Sequence, residues 1–141
     1  MRKTSIALIV AALGFASFAA QADVASAQKL ANKYAAIAKH IDPTSQGLSA
    51  DAGKAFYNKP VVIKGKEVAC ATCHTVNPAA VGKHKDDGKA IKPLAPSANP
   101  DRFADLDKVE KNFEKHCLDI IGRDCTAQEK GNFINYLLYV K

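Results

Sequence analysis

Cys70-Ala71-Thr72-Cys73-His74 spells C-x-x-C-H, the spacing at which a haem is attached to a polypeptide through two thioethers. Thiols three positions apart share one side of a helical turn, so each can bond a vinyl group of the same porphyrin. The next residue can then bring its imidazole beneath the iron. This reading makes Cys70 and Cys73 covalent anchors and His74 the proximal axial ligand. A thioredoxin-like redox pair, a zinc half-site and an ordinary disulfide are plainer readings of the two cysteines, and the adjoining histidine argues against each. One motif implies one haem c.

The start of the chain supplies a setting for that chemistry. Arg2 and Lys3 precede an apolar run from Ile6 to Ala20, followed by Ala20-Gln21-Ala22, the pattern of a cleavable secretory signal. The run is shorter than the roughly 20 residues needed to span a bilayer, and no later stretch is apolar enough. Cleavage after Ala22 leaves residues 23–141 as a single domain, carrying 18 basic and 14 acidic residues for a net +4. That charge permits docking to an acidic partner but falls short of a nucleic-acid-binding patch. An exported chain with two further cysteines, Cys117 and Cys125, fits an oxidising compartment, and the periplasm is the expected location.

Outward from the motif, the pattern is helical. Leu30, Tyr34, Ile37 and Ile41 recur at helical spacing over Ala25–His40, and Asp42-Pro43 stops the run. A short helix begins after Ser49, carries Phe56 and Tyr57 and ends at Asn58-Lys59-Pro60. Val61–Ile63 with Lys64-Gly65-Lys66 reads as a strand and turn. Residues 77–100 hold four of the six prolines and read as a long ordered loop. Ile91, Leu94 and Ala95 are its apolar points for wrapping a porphyrin edge. A third helix spans Leu106–Ile121, its stripe running through Leu106, Val109, Phe113, Cys117 and Ile120, with Gly122 as its stop. Thr126-Ala127-Gln128-Glu129 is a capping box that opens the last helix, whose core face is Phe133, Ile134, Leu137 and Leu138. The expected fold is all-α, a helical domain around one covalent haem with an additional N-terminal helix.

The second axial position is harder to fill. Methionine takes it in many small haem proteins, yet the only methionine here is Met1, which leaves with the leader. His40, His84, His116, a lysine, an asparagine, water or an open site remain. His116 falls three residues after Phe113 and seven after Val109, on the apolar stripe, so its imidazole faces the core and needs a partner. His40 ends a helix beside Asp42, where a surface role suffices, and His84 sits in the charged Lys83-His84-Lys85. Cys117 and Cys125 would close a short loop between the last two helices, a staple typically worth about 2–4 kcal/mol.

Taken together, these residues resemble the cytochrome c″ family of monohaem c-type cytochromes, related to the SHP-type haem proteins. The likeness runs from Leu30-Ala31-Asn32-Lys33-Tyr34 through Ala69–Thr75, Asn77-Pro78-Ala79, Pro93-Leu94-Ala95-Pro96, Arg102-Phe103 and Asp105–Glu110. It continues through Lys115-His116-Cys117 and Asn132-Phe133-Ile134 to Tyr136-Leu137-Leu138. The resemblance implies His116 as distal ligand and a Cys117–Cys125 bridge. SHP-type relatives carry asparagine at the position of His116, so the chain falls with the c″ branch. That branch implies a bis-histidine, low-spin oxidised haem whose distal histidine detaches on reduction. An imidazole in water titrates near 6.5, so detachment would link electron uptake to proton uptake. Arg102 is a candidate contact for a haem propionate, because a guanidinium pairs well with carboxylates.

The function implied is a monomeric periplasmic electron carrier, not an enzyme, that meets unidentified redox proteins. The competing reading is a sensor or carrier of O2, NO or CO at the vacated sixth position. A dihaem peroxidase is disfavoured by the single C-x-x-C-H motif.

Overall fold

The computed structural model describes the backbone of residues 15–141 and the side chains of residues 23–141. The expected leader, residues 1–22, therefore lies wholly outside the described side chains. The elements in order are α1 (Phe15–Ile41), α2 (Ala50–Asn58), a hairpin of β1 (Val61–Ile63) and β2 (Lys66–Val68), and the short α3 (Cys70–His74). A second hairpin, β3 (Gly82–Lys83) with β4 (Ala90–Ile91), precedes α4 (Leu106–His116), a π turn (Cys117–Ile121) and α5 (Ala127–Tyr139). Both hairpins are antiparallel, and the architecture is the expected helical one.

Helix α5 is the spine against which α1 and α2 pack. On α1 the buried positions are Ala27, Leu30, Ala31, Tyr34 and Ala38, whereas Ile37 is 39% and Ile41 73% exposed. The sequence-based stripe is thus corrected by part of a turn. Small residues decide it: the alanines let α1 approach α5 so closely that a side-chain carbon on Gly131 would lie 3.2 Å from Tyr34 Cβ and 2.6 Å from Leu48 Cδ2. Close contact of large area outweighs burial of two isoleucines near the C-terminal end. Helix α2 starts as expected, with Ser49 Oγ accepting from Ala52 N–H at 3.1 Å. It meets α5 where Gly53 lies flat on the Asn132 carbonyl. Tyr57, Phe103, Ile134 and Leu137 are fully buried between these elements.

The segment from 77 to 100 is ordered, and it contains the β3–β4 hairpin. Leu94 and Ala95 donate their backbone N–H groups to the Pro78 carbonyl, at 2.8 and 3.0 Å. Leu94 is 3% exposed and Ala95 fully buried, and Leu94 joins the protein core. Leu94 and Ala95 thus pack into the polypeptide interior, and Ile91 is half-buried.

The third helix is corrected as well. Its α-helical part ends at His116, and residues 117–121 continue as a π turn closed by Gly122 in the left-handed conformation, φ 79°. The Gly122 N–H donates to the Cys117 carbonyl at 3.1 Å. Here the disulfide between Cys117 and Cys125, Cα atoms 5.6 Å apart, draws the chain back towards α5. A wider turn reverses it sooner than further α-helix would.

At the start of α5 the capping box forms as expected. Thr126 Oγ1 accepts from Glu129 N–H at 3.1 Å, and Thr126 N–H donates to Glu129 Oε2 at 2.8 Å. Arg123 adds two bonds to the same carboxylate, at 2.9 and 2.7 Å. The Arg123 hydrogen bonds, with the capping amide behind them, hold Glu129 down to about 2. A carboxylate lowered in the folded state stabilises fully above its unfolded value of about 4.3, and that stability disappears as pH falls towards the folded value. Between pH 5 and pH 2 the wild-type protein is therefore expected to lose ~1 kcal/mol that Glu129→Gln does not, after discounting for solvent screening. Urea titrations at both pH values read the difference, and parallel pH profiles would refute it.

Candidate haem-binding site

The five residues of α3 make a single turn. The Ala69 N–H donates to Thr72 Oγ1 at 2.9 Å, which satisfies a backbone donor at the helix start. Cys70 and Cys73 are not bonded to one another, and both are half-buried. Burial pushes the Cys70 thiol up from its ordinary value. His74 follows, and burial first, then Arg102 and His116, lowers its imidazole to about 4. It is neutral at pH 7, the form a metal ligand requires.

Two features fix the backbone around His74. Thr75 has φ 62° and ψ 167°, a region essentially reserved for glycine that costs another residue about 1–3 kcal/mol. The buried Tyr57 hydroxyl donates to the Thr75 carbonyl at 2.5 Å, and Thr75 Oγ1 donates to the Asn77 carbonyl at 2.8 Å. On the other side, Gly82 of β3 lies so close that a Cβ there would be 2.3 Å from the Cys73 carbonyl and 3.0 Å from His74 Cα. Only glycine allows that approach.

His116 ends α4. Its Nδ1 lies 2.7 Å from the Asn112 carbonyl; since a carbonyl only accepts, Nδ1 carries the proton and Nε2 presents a lone pair. The expectation that His116 faces the core is not met, for it is exposed along with Glu114 and Lys115. Leu106, Val109 and Phe113 anchor the earlier turns of α4 to the core, and the final turn projects beyond that anchor. The His116 ring nevertheless lies beside His74, with centroids 6.4 Å apart and planes at 63°. Two imidazoles bound to opposite sides of one metal, at nitrogen distances of about 2.0–2.1 Å, have ring centres about 6 Å apart. The pair therefore fits an axial set for one iron.

The other histidines are elsewhere. His40 lies exposed in the last turn of α1, and His84 Nδ1 pairs with Asp87 at 3.3 Å. Arg102 is close enough to His74 to lower its basicity. Burial lowers the Arg102 pKa, while the Asp23 carboxylate supports its charge. A partly desolvated guanidinium beside His74 suits an anionic propionate. Asp23, 3% exposed, also accepts from the Phe103 N–H at 2.6 Å.

Sequence reasoning missed Tyr57, Thr75, Gly82, Asn112 and Asp23 as site-supporting residues. Asn112 stood four positions before His116, a helical neighbour that could have been tested. Thr75 adjoins His74, but its unusual backbone conformation leaves no mark in a threonine; Tyr57, Gly82 and Asp23 act from further along the chain and left no local signal.

Known proteins resemble this chain in both sequence and fold. A family model described as a domain of unknown function (DUF1924) matches residues 43–137. Cytochrome c″ of Methylophilus methylotrophus is 53% identical over 120 residues, covering 84% of this chain and 83% of that one. The crystal structure of its oxidised form superposes with a TM-score of 0.81 over 84% of this chain and 98% of that chain, at 52% identity. A solution structure of the same protein, concerned with haem-ligand detachment, gives 0.76 at 52% identity, over 83% of this chain and 95% of that one. The cytochrome c-type protein SHP of Cereibacter sphaeroides is 38% identical over 82% of this chain and 84% of that one. A structure of oxidised SHP, described as an oxygen-binding cytochrome c, gives a TM-score of 0.69 at 36% identity, over 79% of this chain and 94% of that chain. The chain belongs to the cytochrome c″ and SHP family of monohaem c-type cytochromes and carries one covalently bound haem c.

Proposed function

We propose that residues 23–141, freed from a leader at 1–22, form a periplasmic electron carrier with bis-histidine ligation when oxidised. Cys70 and Cys73 hold the haem covalently, His74 and His116 are its axial ligands, and Arg102 contacts a propionate. The bound haem supplies a one-electron change at iron, which the polypeptide couples to a movement of its own. On reduction His116 releases. The 6.4 Å separation of the two imidazole rings carries this reading.

The two histidines are held differently, and that difference decides which one moves. His74 is half-buried, follows directly on the two anchoring cysteines and is backed by Gly82. His116 is exposed on the last turn of α4 and runs directly into the π turn. Asn112 retains the Nδ1 proton, so the nitrogen that a released His116 offers to solvent is Nε2. That atom takes up a proton as the electron arrives. The established detachment theme of the relative cytochrome c″ supports extending this behaviour to the present chain.

Optical spectra and potentiometry test the proposal. The reduced protein is expected to be five-coordinate and high-spin, and the potential to fall as pH rises through the acid range, by at most about 59 mV per pH unit for one proton per electron. A reduced protein that stays six-coordinate and low-spin across neutral pH would end the detachment reading. A second reading has one specific support, the similarity to an oxygen-binding SHP. In it the vacated position takes O2, NO or CO, and tight binding of a diatomic by the reduced protein that alters association with a partner would favour it over electron transfer.

A further inference from the structure

Tyr57 does more than fill the core. Its ring packs against Phe133 and Tyr136, with centroids 6.0 and 5.7 Å away, a task phenylalanine would perform equally well. Its hydroxyl is directed elsewhere, to the carbonyl of Thr75, the residue that follows His74. Thr75 holds a backbone conformation that a β-branched side chain ordinarily avoids. Such conformations persist only where neighbours over-determine them. Here the neighbours are the Tyr57 hydroxyl on one side and the Asn77 backbone, bonded to Thr75 Oγ1, on the other.

We infer that Tyr57 is a positioning residue for the proximal ligand, its hydroxyl clamping the strained His74–Thr75 linkage so that the imidazole of His74 stays fixed. This rests on the reading of His74 as an axial ligand. The clamp ties the ligand loop to α2, and through the Tyr57 ring to α5. His74 cannot shift along its own axis without breaking the Tyr57 bond or driving Cys73 and His74 into Gly82. The clamp thus adds to what holds His74 while His116 gives way.

The test is made on holoprotein in a His116→Ala background, where His74 is the sole histidine at the haem. The iron–histidine stretching band of the ferrous protein, read by resonance Raman, is expected to move or broaden in Tyr57→Phe. A coincident band overturns the inference. Urea unfolding of the otherwise wild-type holoprotein adds a cycle that reads Tyr57 whichever residue is the distal ligand. Tyr57→Phe should lower the unfolding free energy by the worth of one hydrogen bond, about fivefold in the equilibrium constant. In a Thr75→Gly background, where the backbone needs no clamp, the same change should cost less than about twofold. Equal losses in the two backgrounds mean the hydroxyl acts independently of the linkage, and the inference fails. Absence of any iron–histidine band in the parent variant would instead refute His74 as ligand, and the clamp with it.

Discussion

The oxidised His116→Ala protein is expected to lose its low-spin ferric signature completely, in both optical and EPR spectra, while keeping its haem. Retention follows from chemistry, because Cys70 and Cys73 are untouched. Loss follows from the shortage of substitutes. The sole methionine is Met1, His84 is engaged with Asp87, and His40 ends α1. Only His116 stands with its ring 6.4 Å from that of His74. An unchanged low-spin spectrum would transfer the distal role to His40, His84, a lysine or an asparagine. The same variant should abolish any pH dependence of the potential that comes from distal release, so one protein tests both halves of the functional proposal.

Gly53→Ala is expected to cause the largest loss of stability for the smallest change of side chain, on the order of 3 kcal/mol. The added methyl carbon would sit 2.0 Å from the Asn132 carbonyl oxygen and 2.8 Å from Tyr136 Cβ. The nearest obstacle is backbone in the middle of α5, which no rotamer change can relieve. Helix α2 would have to move away, taking Tyr57 with it. Gly65→Ala is the control: it has φ 75° and open space around it, so its cost is local backbone strain of about 1 kcal/mol. Urea unfolding of the two holoproteins measures the contrast. A Gly53→Ala loss no larger than that of Gly65→Ala would show that α2 and α5 can separate freely.

What the sequence displayed were the features whose causes lie within a few residues. The C-x-x-C-H turn, the Ser49 cap, the Thr126–Glu129 box and the Gly122 stop each depend on short-range hydrogen bonding or backbone sterics. His116 could be singled out because methionine was missing and cysteine adjoined it, though its exposure could not. The rotation of α1 depends on which face α5 presents, and the π turn on a disulfide partner eight residues away. The approaches at Gly53 and Gly82 depend on segments that meet only in the folded chain. Periodicity is blind to all of these. The resemblance to a family supplied the ligand assignment that residue patterns alone left open.

The four cysteines also face a problem of assembly. Haem capture needs Cys70 and Cys73 as thiols, whereas Cys117 and Cys125 are joined as a disulfide, although all four are the same chemical group. Cys70 and Cys73 are not bonded to one another, so both sulfurs remain available for thioethers to one haem. Cys117 and Cys125, only eight residues apart, can find one another by local loop closure. Spacing thereby sorts identical groups into two fates: a closed loop at one site and a paired anchor at the other.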